Sequence, residues 1–438
     1  MGVSTVTAAR IMEGQLLGGT GEEHMLSFEQ FPNLALSKTY NTNQQIADSA
    51  GTMTAMATGV KTKAGVISVN QQAIRGDCRS QSGNHLLTFL ERAENRGLAT
   101  GVVTTARITH ATPAANYAHS MERNYEDDGD SSQVRNAGEC PDIARQLVEF
   151  SGNNTASDGL EVAMGGGRRS FIPQSATDPE YGSSGARIDG RDLTADWVDS
   201  HANSAYVWNQ EQFDAVDPET TDHLLGLFEP SHMQYDHDRP VDEAGEPSLS
   251  QMTAKAIDIL SRNDKGFFLQ VESGRIDHAH HATNPFRALL DTIELSRAVR
   301  TAMDKVDLSE TLIIVTADHS HVFTIAGYAT RGNPILGKSI GNDSRGEPRT
   351  EPWLAADDLP YTTLGYANGR GFHQLPDSNS ADAINGQEIN FSRRADLTDV
   401  DTTDPGFHSE VTVPMGSETH GGEDVAIYAI GPGSDLIR

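Results

Sequence analysis

The chain has 438 residues, 62 of them acidic and 33 basic, giving a formal charge of −29 at pH 7. A surface this negative repels nucleic acid, and no run of apolar residues is long enough to cross a membrane. Hydrophobic content of 37% and a mean hydropathy of −0.46 fit a soluble globular protein with a large core. By length the chain holds two or three domains, although large α/β proteins often form one. Lysine is scarce, so most of the positive charge is arginine. Abundant Asp and Glu with little Lys suits high salt, where screening relieves self-repulsion. This predicts a halophilic source; an ordinary acidic secreted protein is the plainer alternative. Cys78 and Cys140 are the only cysteines, either unpaired core residues or one disulfide.

In chain order, Met1–Ile11 reads as the start of a helix. Asp48-Ser49-Ala50-Gly51 precedes Met53, Met56 and Ala57 at helical spacing. Asp48 or Ser49 therefore stands at a helix N-terminus. A simple N-cap is the commoner use of such residues. The functional alternative is a serine nucleophile where backbone N–H groups favour an anion. A helix over Asn84–Arg96 and a strand over Thr100–Thr105 follow. That strand delivers Arg107, His110, Thr112 and then Arg123, and Pro113 is expected to stop regular structure. Pro141–Phe150 reads as a helix and Glu161–Met164 as a short strand. Gly165-Gly166-Gly167 matches no phosphate-loop spacing and reads as a tight turn.

Asp178 to Glu246 is polar and reads as irregular surface connections. Ser248–Leu260 is predicted helical, Phe267–Val271 a strand, Asn284–Met303 a helix and Thr311–Ala317 the next strand. This order predicts an α/β fold with a mostly parallel sheet and right-handed crossovers. Tyr328–Val413, rich in Gly, Asn, Asp and Ser, reads as an inserted surface region, because Val425–Ile430 resumes as a core strand.

The chemistry gathers where strands end. Phe267–Val271 runs into Glu272, Asp277, His278, His280 and His281. Leu312–Ala317 ends in Asp318-His319-Ser320-His321, and His420 lies just before the last strand. The carboxyl ends of strands are where α/β proteins place their sites, and Asp with His is a ligand set that suits zinc. One such cluster reads equally as a solvated His-rich turn; the second copy argues against that.

These stretches together resemble the alkaline phosphatases over nearly the whole chain. The resemblance rests on Asp48-Ser49-Ala50-Gly51, Thr109-His110-Ala111-Thr112-Pro113-Ala114, Glu272 through His281, Thr316-Ala317-Asp318-His319-Ser320-His321 and Glu418-Thr419-His420. Gly226-Leu227-Phe228-Glu229-Pro230 is closer to the animal-type branch. The resemblance implies a three-layer α/β fold whose central sheet is flanked by helices, with 328–413 as a crown-like insertion in a single 1–438 domain. It implies hydrolysis of phosphate monoesters through a phosphoserine on Ser49. Asp277, His281 and His420 match the ligands of one zinc, and Asp318 and His319 those of a second. Thr112 and Glu272 match magnesium ligands. Arg123 matches the phosphate-gripping arginine, whose planar fork holds two oxygens. His110 and His278 match positions beside the metals where members differ, and are expected to contact substrate. His280 and His321 are expected to pack or orient neighbours, and Asp48 to cap the helix and pair with Arg123. Cys78 and Cys140 match an animal-type disulfide, which implies an oxidising compartment, periplasmic or secreted. A homodimer is also implied. Asp196, Phe228, Glu229 and Glu246 fall near an animal-type calcium site.

The chain departs from the family at both ends. The family opens with a strand ending in Gly-Asp-Gly-Met-Gly, whose Asp bridges the second zinc and the magnesium. Here that Asp falls before Met1, and a C-terminal segment is absent after Gly433, so a partial sequence is expected. The competing functions are a phosphodiesterase of the same superfamily and a non-catalytic zinc-binding fragment. Arg123 favours the monoesterase, because it suits a terminal phosphate with free oxygens.

Overall fold

The computed structural model describes residues 1–150, 158–370 and 396–437. Its central sheet has five parallel strands, in the order Ser204–Val207, His223–Leu227, Val162–Gly166, Ala99–Arg107 and Phe267–Glu272. Val102, Val103, Val162, Ala163, Met164, Leu224 and Leu225 are fully enclosed. Such unbroken apolar runs are what a parallel sheet covered on both faces requires.

One face packs on the helices Leu249–Leu260 and Pro285–Lys305 through Leu249, Met252, Ile259 and Ala298. The other is closed by Ser49–Thr58, Ala111–Tyr117, Ile143–Val148 and Leu193–Ser200 through Met53, Ala114, Leu147 and Trp197. The result is the expected three-layer α/β arrangement.

Smaller ladders complete the site end. Val425–Ile430 lies between Asn33–Ser37 and Ile313–Val315, antiparallel to both. Leu364–Gly369 runs antiparallel to Phe323–Ile325 and parallel to Val411–Pro414. A two-residue pairing sets His420 opposite His321.

Several sequence expectations are corrected. The stretch from Asp178 to Glu246 is not merely surface connection: it supplies the strands Ser204–Val207 and His223–Leu227 and the helices Leu193–Ser200 and Gln210–Ala215. Leu224, Leu225 and Leu227 are fully buried there, a five-residue strand hidden by polar flanks. The strand expected at Thr311–Ala317 narrows to Ile313–Val315 and pairs with Val425–Ile430, not with the parallel sheet. The helix expected over Asn84–Arg96 is only Phe89–Glu94. It starts there because the Thr88 hydroxyl accepts from Glu91 N while the Glu91 carboxylate accepts from Thr88 N. Pro113 does not end structure; it is the third residue of Ala111–Tyr117, in the first turn, where its missing N–H has no partner to lose. Within 328–413, Leu364 and Tyr366 are buried against Phe323; residues 371–395 of that region lie outside the described residues.

Candidate active site

Ser49 is the first residue of the helix Ser49–Thr58, and Asp48 caps it. Asp48 Oδ1 accepts from Gly51 N at 3.1 Å, and Oδ2 accepts from Gly65 N at 2.8 Å and from Arg123 Nη1 at 3.3 Å. The expected cap and arginine partner are both there. A Cβ at position 51 would stand 2.5 Å from Asn41 Oδ1, so glycine lets the preceding loop close on the helix start. Ser49 is buried with Oγ 3.1 Å from His319 Nε2. Its neighbour Thr52 donates to Asp318 Oδ2 at 3.0 Å. The nucleophile candidate, the expected phosphate-gripping arginine and two candidate metal ligands thus share one corner, at a helix N-terminus that favours an anion.

Asp277 and His281 lie on one face of the helix Arg275–His281. Asp277 Oδ1 is 3.0 Å from His321 Nε2 and 3.4 Å from both His281 Nε2 and His420 Nε2. His281 Nε2 and His420 Nε2 are 3.1 Å apart. Ligands on a tetrahedral zinc, at bonds of about 2.0–2.1 Å, are separated by about 3.3 Å. Asp277 Oδ1 and His321 Nε2 are buried without a hydrogen-bond partner. A lone carboxylate oxygen ringed by imidazole nitrogens calls for a cation, and the donor set fits zinc.

The far nitrogens are held as a metal site needs. His281 Nδ1 donates to the Glu418 carbonyl at 2.7 Å, His420 Nδ1 to the Ala47 carbonyl at 2.6 Å and His319 Nδ1 to the Ser320 carbonyl at 3.2 Å. Each Nε2 therefore keeps its lone pair. Burial alone would raise the Asp277 pKa, but His281, His321 and His420 outweigh it and hold the carboxyl well below the usual range. Burial drops His319 to about 3. His280 is fully buried between the Thr5 hydroxyl and the Tyr366 hydroxyl, the packing role expected of it.

Glu272 ends the strand Phe267–Glu272 beside the hydroxyls of Thr104 and Thr112. Burial pushes its pKa up to about 7. This all-oxygen group suits a hard cation.

His110 and His278 are joined by His232, which the sequence reading missed. One ring nitrogen from each lies within 4.8 Å of the others. Three arginines surround them: Arg123 Nη2 is 3.2 Å from His110 Nε2, Arg275 Nη1 is 3.2 Å from His278 Nδ1, and Arg107 Nη1 is 2.6 Å from His232 Nε2. Burial, then the neighbouring cations, lower the His110 pKa well below normal.

Glu229 and Glu246 meet as expected, but their companions are Glu180 and Asp242. Asp196 does not belong; it pairs with Arg191 at 2.7 Å. Phe228 is buried in the core. Glu246 is 2% exposed. Glu246 Oε2, Glu180 Oε1 and Asp242 Oδ2 are buried without partners. Burial raises Glu180 and Glu229 to about 7, as carboxylates crowded together out of water do. Elsewhere Cys78 and Cys140 form a disulfide. No helix among the described residues is long and apolar enough to cross a membrane.

The family model described as alkaline phosphatase matches residues 1–438. The alkaline phosphatase of Gadus morhua is 42% identical over 444 residues, covering 100% of this chain and 86% of its own. The tissue-nonspecific isozyme of Gallus gallus is 42% identical over 445 residues, covering 100% and 79%. Among solved structures, Thermus thermophilus alkaline phosphatase matches with TM-score 0.65 at 23% identity, covering 99% of this chain and 84% of that one. The enzyme of the Antarctic bacterium TAB5 matches with TM-score 0.61 at 21% identity, covering 100% and 90%.

Proposed function

The chain belongs to the alkaline phosphatase family and hydrolyses phosphate monoesters, and we propose that Ser49 is its nucleophile. What carries the reading is the placement of Ser49 Oγ, at a helix N-terminus, 3.1 Å from His319 Nε2 and next in the chain to Asp48, which accepts from Arg123. Ser49 Oγ bonds to phosphorus as the ester oxygen departs with the alcohol. Water then cleaves the phosphoserine, releasing inorganic phosphate and restoring the hydroxyl.

The family is metal-dependent. Asp277, His281 and His420 would hold one zinc; Asp318 and His319 would serve a second, and Thr112 and Glu272 a magnesium. Zinc supplies Lewis acidity that activates oxygen nucleophiles and stabilises leaving oxygens. The chain's own contribution is positional. Arg123 grips two phosphate oxygens, Asp48 fixes that guanidinium, and the helix start stabilises added negative charge. His110 and His278 line the substrate side. Glu180, Glu229, Asp242 and Glu246 would hold a calcium ion, supported by the partnerless buried oxygens of Glu180, Asp242 and Glu246.

The disulfide supports a periplasmic or secreted protein, and the charge of −29 a halophilic one. We take the chain as one domain, with 328–413 inserted, working as a homodimer.

The test is aryl phosphate hydrolysis with zinc and magnesium, with and without chelator, for the parent and Ser49→Ala. Chelator-sensitive turnover lost in Ser49→Ala, with acid-trapped phosphoserine in the parent alone, is expected. Phosphoenzyme persisting in Ser49→Ala refutes the assignment.

A further inference from the structure

Arg123 is held through its backbone as well as through its guanidinium. Its Nη1 donates to Asp48 Oδ2 at 3.3 Å, and its backbone N donates to the Gly65 carbonyl at 3.0 Å. Gly65 N donates in turn to the same Asp48 oxygen at 2.8 Å. Asp48, the turn at Gly65 and Arg123 therefore close a ring of three hydrogen bonds. The backbone that carries the arginine and the carboxylate that fixes its guanidinium both rest on this one turn.

Gly65 has φ +79°, a left-handed conformation that glycine adopts without strain. It also leaves room that Arg75 fills, since a Cβ at this position would overlap Arg75 Cζ, Nε and Nη1. The Arg75 guanidinium thus lies directly against the turn. Glu122, the residue before Arg123, fixes it there. Arg75 Nε donates to Glu122 Oε2 and Nη2 to Oε1, both at 2.8 Å. Glu122 is 7% exposed. A single exposed ion pair stabilises little, but two parallel bonds to a buried carboxylate fix geometry. The backbone keeps Arg75 in register with this partner. Gly76 N donates to the Met121 carbonyl at 2.9 Å, and the Gly76 carbonyl accepts from Arg135 N at 2.8 Å. Cys78, two residues on, is bridged to Cys140. Asp48 lies close enough for its charge to act on Arg75, but Glu122 neutralises Arg75, so the pair contributes placement more than field.

We propose that Arg75, locked to Glu122, is a positioning residue for phosphate binding: it backs the Gly65 turn and so sets Arg123 and Asp48 for the incoming phosphoryl group. It acts through Arg123 and touches no reacting atom. This rests on Arg123 being the phosphate-gripping residue.

The test is a double-substitution cycle in the zinc- and magnesium-loaded protein. It is read by the inhibition constant of inorganic phosphate and by KM and kcat for an aryl phosphate. Arg75→Ala is expected to raise the phosphate constant and KM by about 3- to 10-fold, with kcat moved far less. The effect is smaller than that of losing Arg123, because that guanidinium remains. Arg75→Lys keeps the charge but cannot form two parallel bonds, so it is expected to behave like alanine. Glu122→Gln opens the fork from the other side and is expected to reproduce Arg75→Ala, which guards against one variant failing to fold. In an Arg123→Ala background, Arg75→Ala is expected to leave the phosphate constant nearly unchanged, because residues that act through one another are not additive. Equal effects of Arg75→Ala with and without Arg123 overturn the proposal. So does full recovery in Arg75→Lys, which would make Arg75 a charge acting by itself. A lowered melting temperature with an unchanged phosphate constant well below it also overturns it, leaving Arg75 merely structural. If Arg123→Ala alone leaves phosphate inhibition unchanged, Arg123 is not the phosphate-gripping residue, and the proposal falls with that reading.

Discussion

Glu418→Gln probes how the imidazoles around Asp277 are held. Glu418 is 2% exposed. Its Oε1 accepts from Val322 N at 2.8 Å and its Oε2 from His321 Nδ1 at 2.9 Å. Its backbone carbonyl separately receives His281 Nδ1 at 2.7 Å. Glutamine keeps one acceptor oxygen. If that oxygen serves Val322, the amide NH₂ meets the His321 N–H donor to donor. His321 must then move its proton to Nε2, against Asp277, or leave a buried donor unsatisfied. Such an unsatisfied group costs about 1–3 kcal/mol, roughly 5- to 150-fold in affinity at about 1.4 kcal/mol per tenfold. His321 Nε2 stands 3.0 Å from Asp277 Oδ1, so His321 is an outer partner of that proposed ligand; disturbing such partners weakens metal sites by about 10- to 100-fold, and zinc affinity is expected to fall within that overlap. Competition of the metal-free protein with a chromophoric zinc chelator measures it, with circular dichroism to show that the fold survives. The backbone bond to His281 is untouched by the substitution, and only the longer 3.4 Å approach of Glu418 Oε2 to His281 Nδ1 changes. Unchanged zinc affinity in a natively folded variant would refute the role given to Glu418.

Arg123→Ala is expected to raise the inhibition constant of inorganic phosphate by about 10- to 100-fold, from the loss of charge-assisted bonds, while leaving residual turnover. Equal phosphate inhibition in variant and parent counts against the arginine. Reducing the Cys78–Cys140 bridge, which spans 62 residues, or replacing both cysteines by serine, is expected to lower stability by roughly 4 kcal/mol on loop entropy; denaturant midpoints give the value. Burial raises the Glu161 carboxyl to about 8. Folding therefore binds its proton more tightly, and stability falls as pH climbs from the ordinary carboxylate range towards 8. Glu161→Gln is expected to raise the melting temperature at pH 9 and to gain nothing at pH 4, where the parent carboxyl is protonated in both states; an equal gain at both pH values contradicts the assigned cause.

Much of the candidate site is legible because its residues fall in short strings at strand ends. Asp277 and His281 are four apart on one helix, and His319 follows the apolar strand Ile313–Val315 closely. Local pattern therefore places them without knowledge of the fold. His232 could not be found this way. It follows Pro230 in a polar stretch, and it reaches His110 and His278 only through the pairing of Val162–Gly166 with both Ala99–Arg107 and His223–Leu227. The same blind spot hides Glu180 and Asp242, far apart in sequence, and made Asp196 look like their companion when its partner is Arg191. Pro113 misled for a related reason: proline stops a helix from within but not from its first turn.

Spacing alone cannot say whether clustered histidines await a cation or an anion, because an imidazole serves either. What decides is the partner of the far nitrogen. Around Asp277 the partners are backbone carbonyls, which accept, so each ring turns a lone pair inward. At His110 and His278 the partners are guanidiniums, which donate, so each of these rings keeps its proton on the other nitrogen. The two groups are adjacent, since Asp277 and His278 are successive residues of one short helix. A chain carrying −29 overall thus sets Arg123 beside His110 and Arg275, from the same helix, beside His278, where they cannot lose their protons. The helix separates the two arrangements: ring lone pairs turned towards one another on the Asp277 side, and a ring nitrogen occupied by a guanidinium at His278.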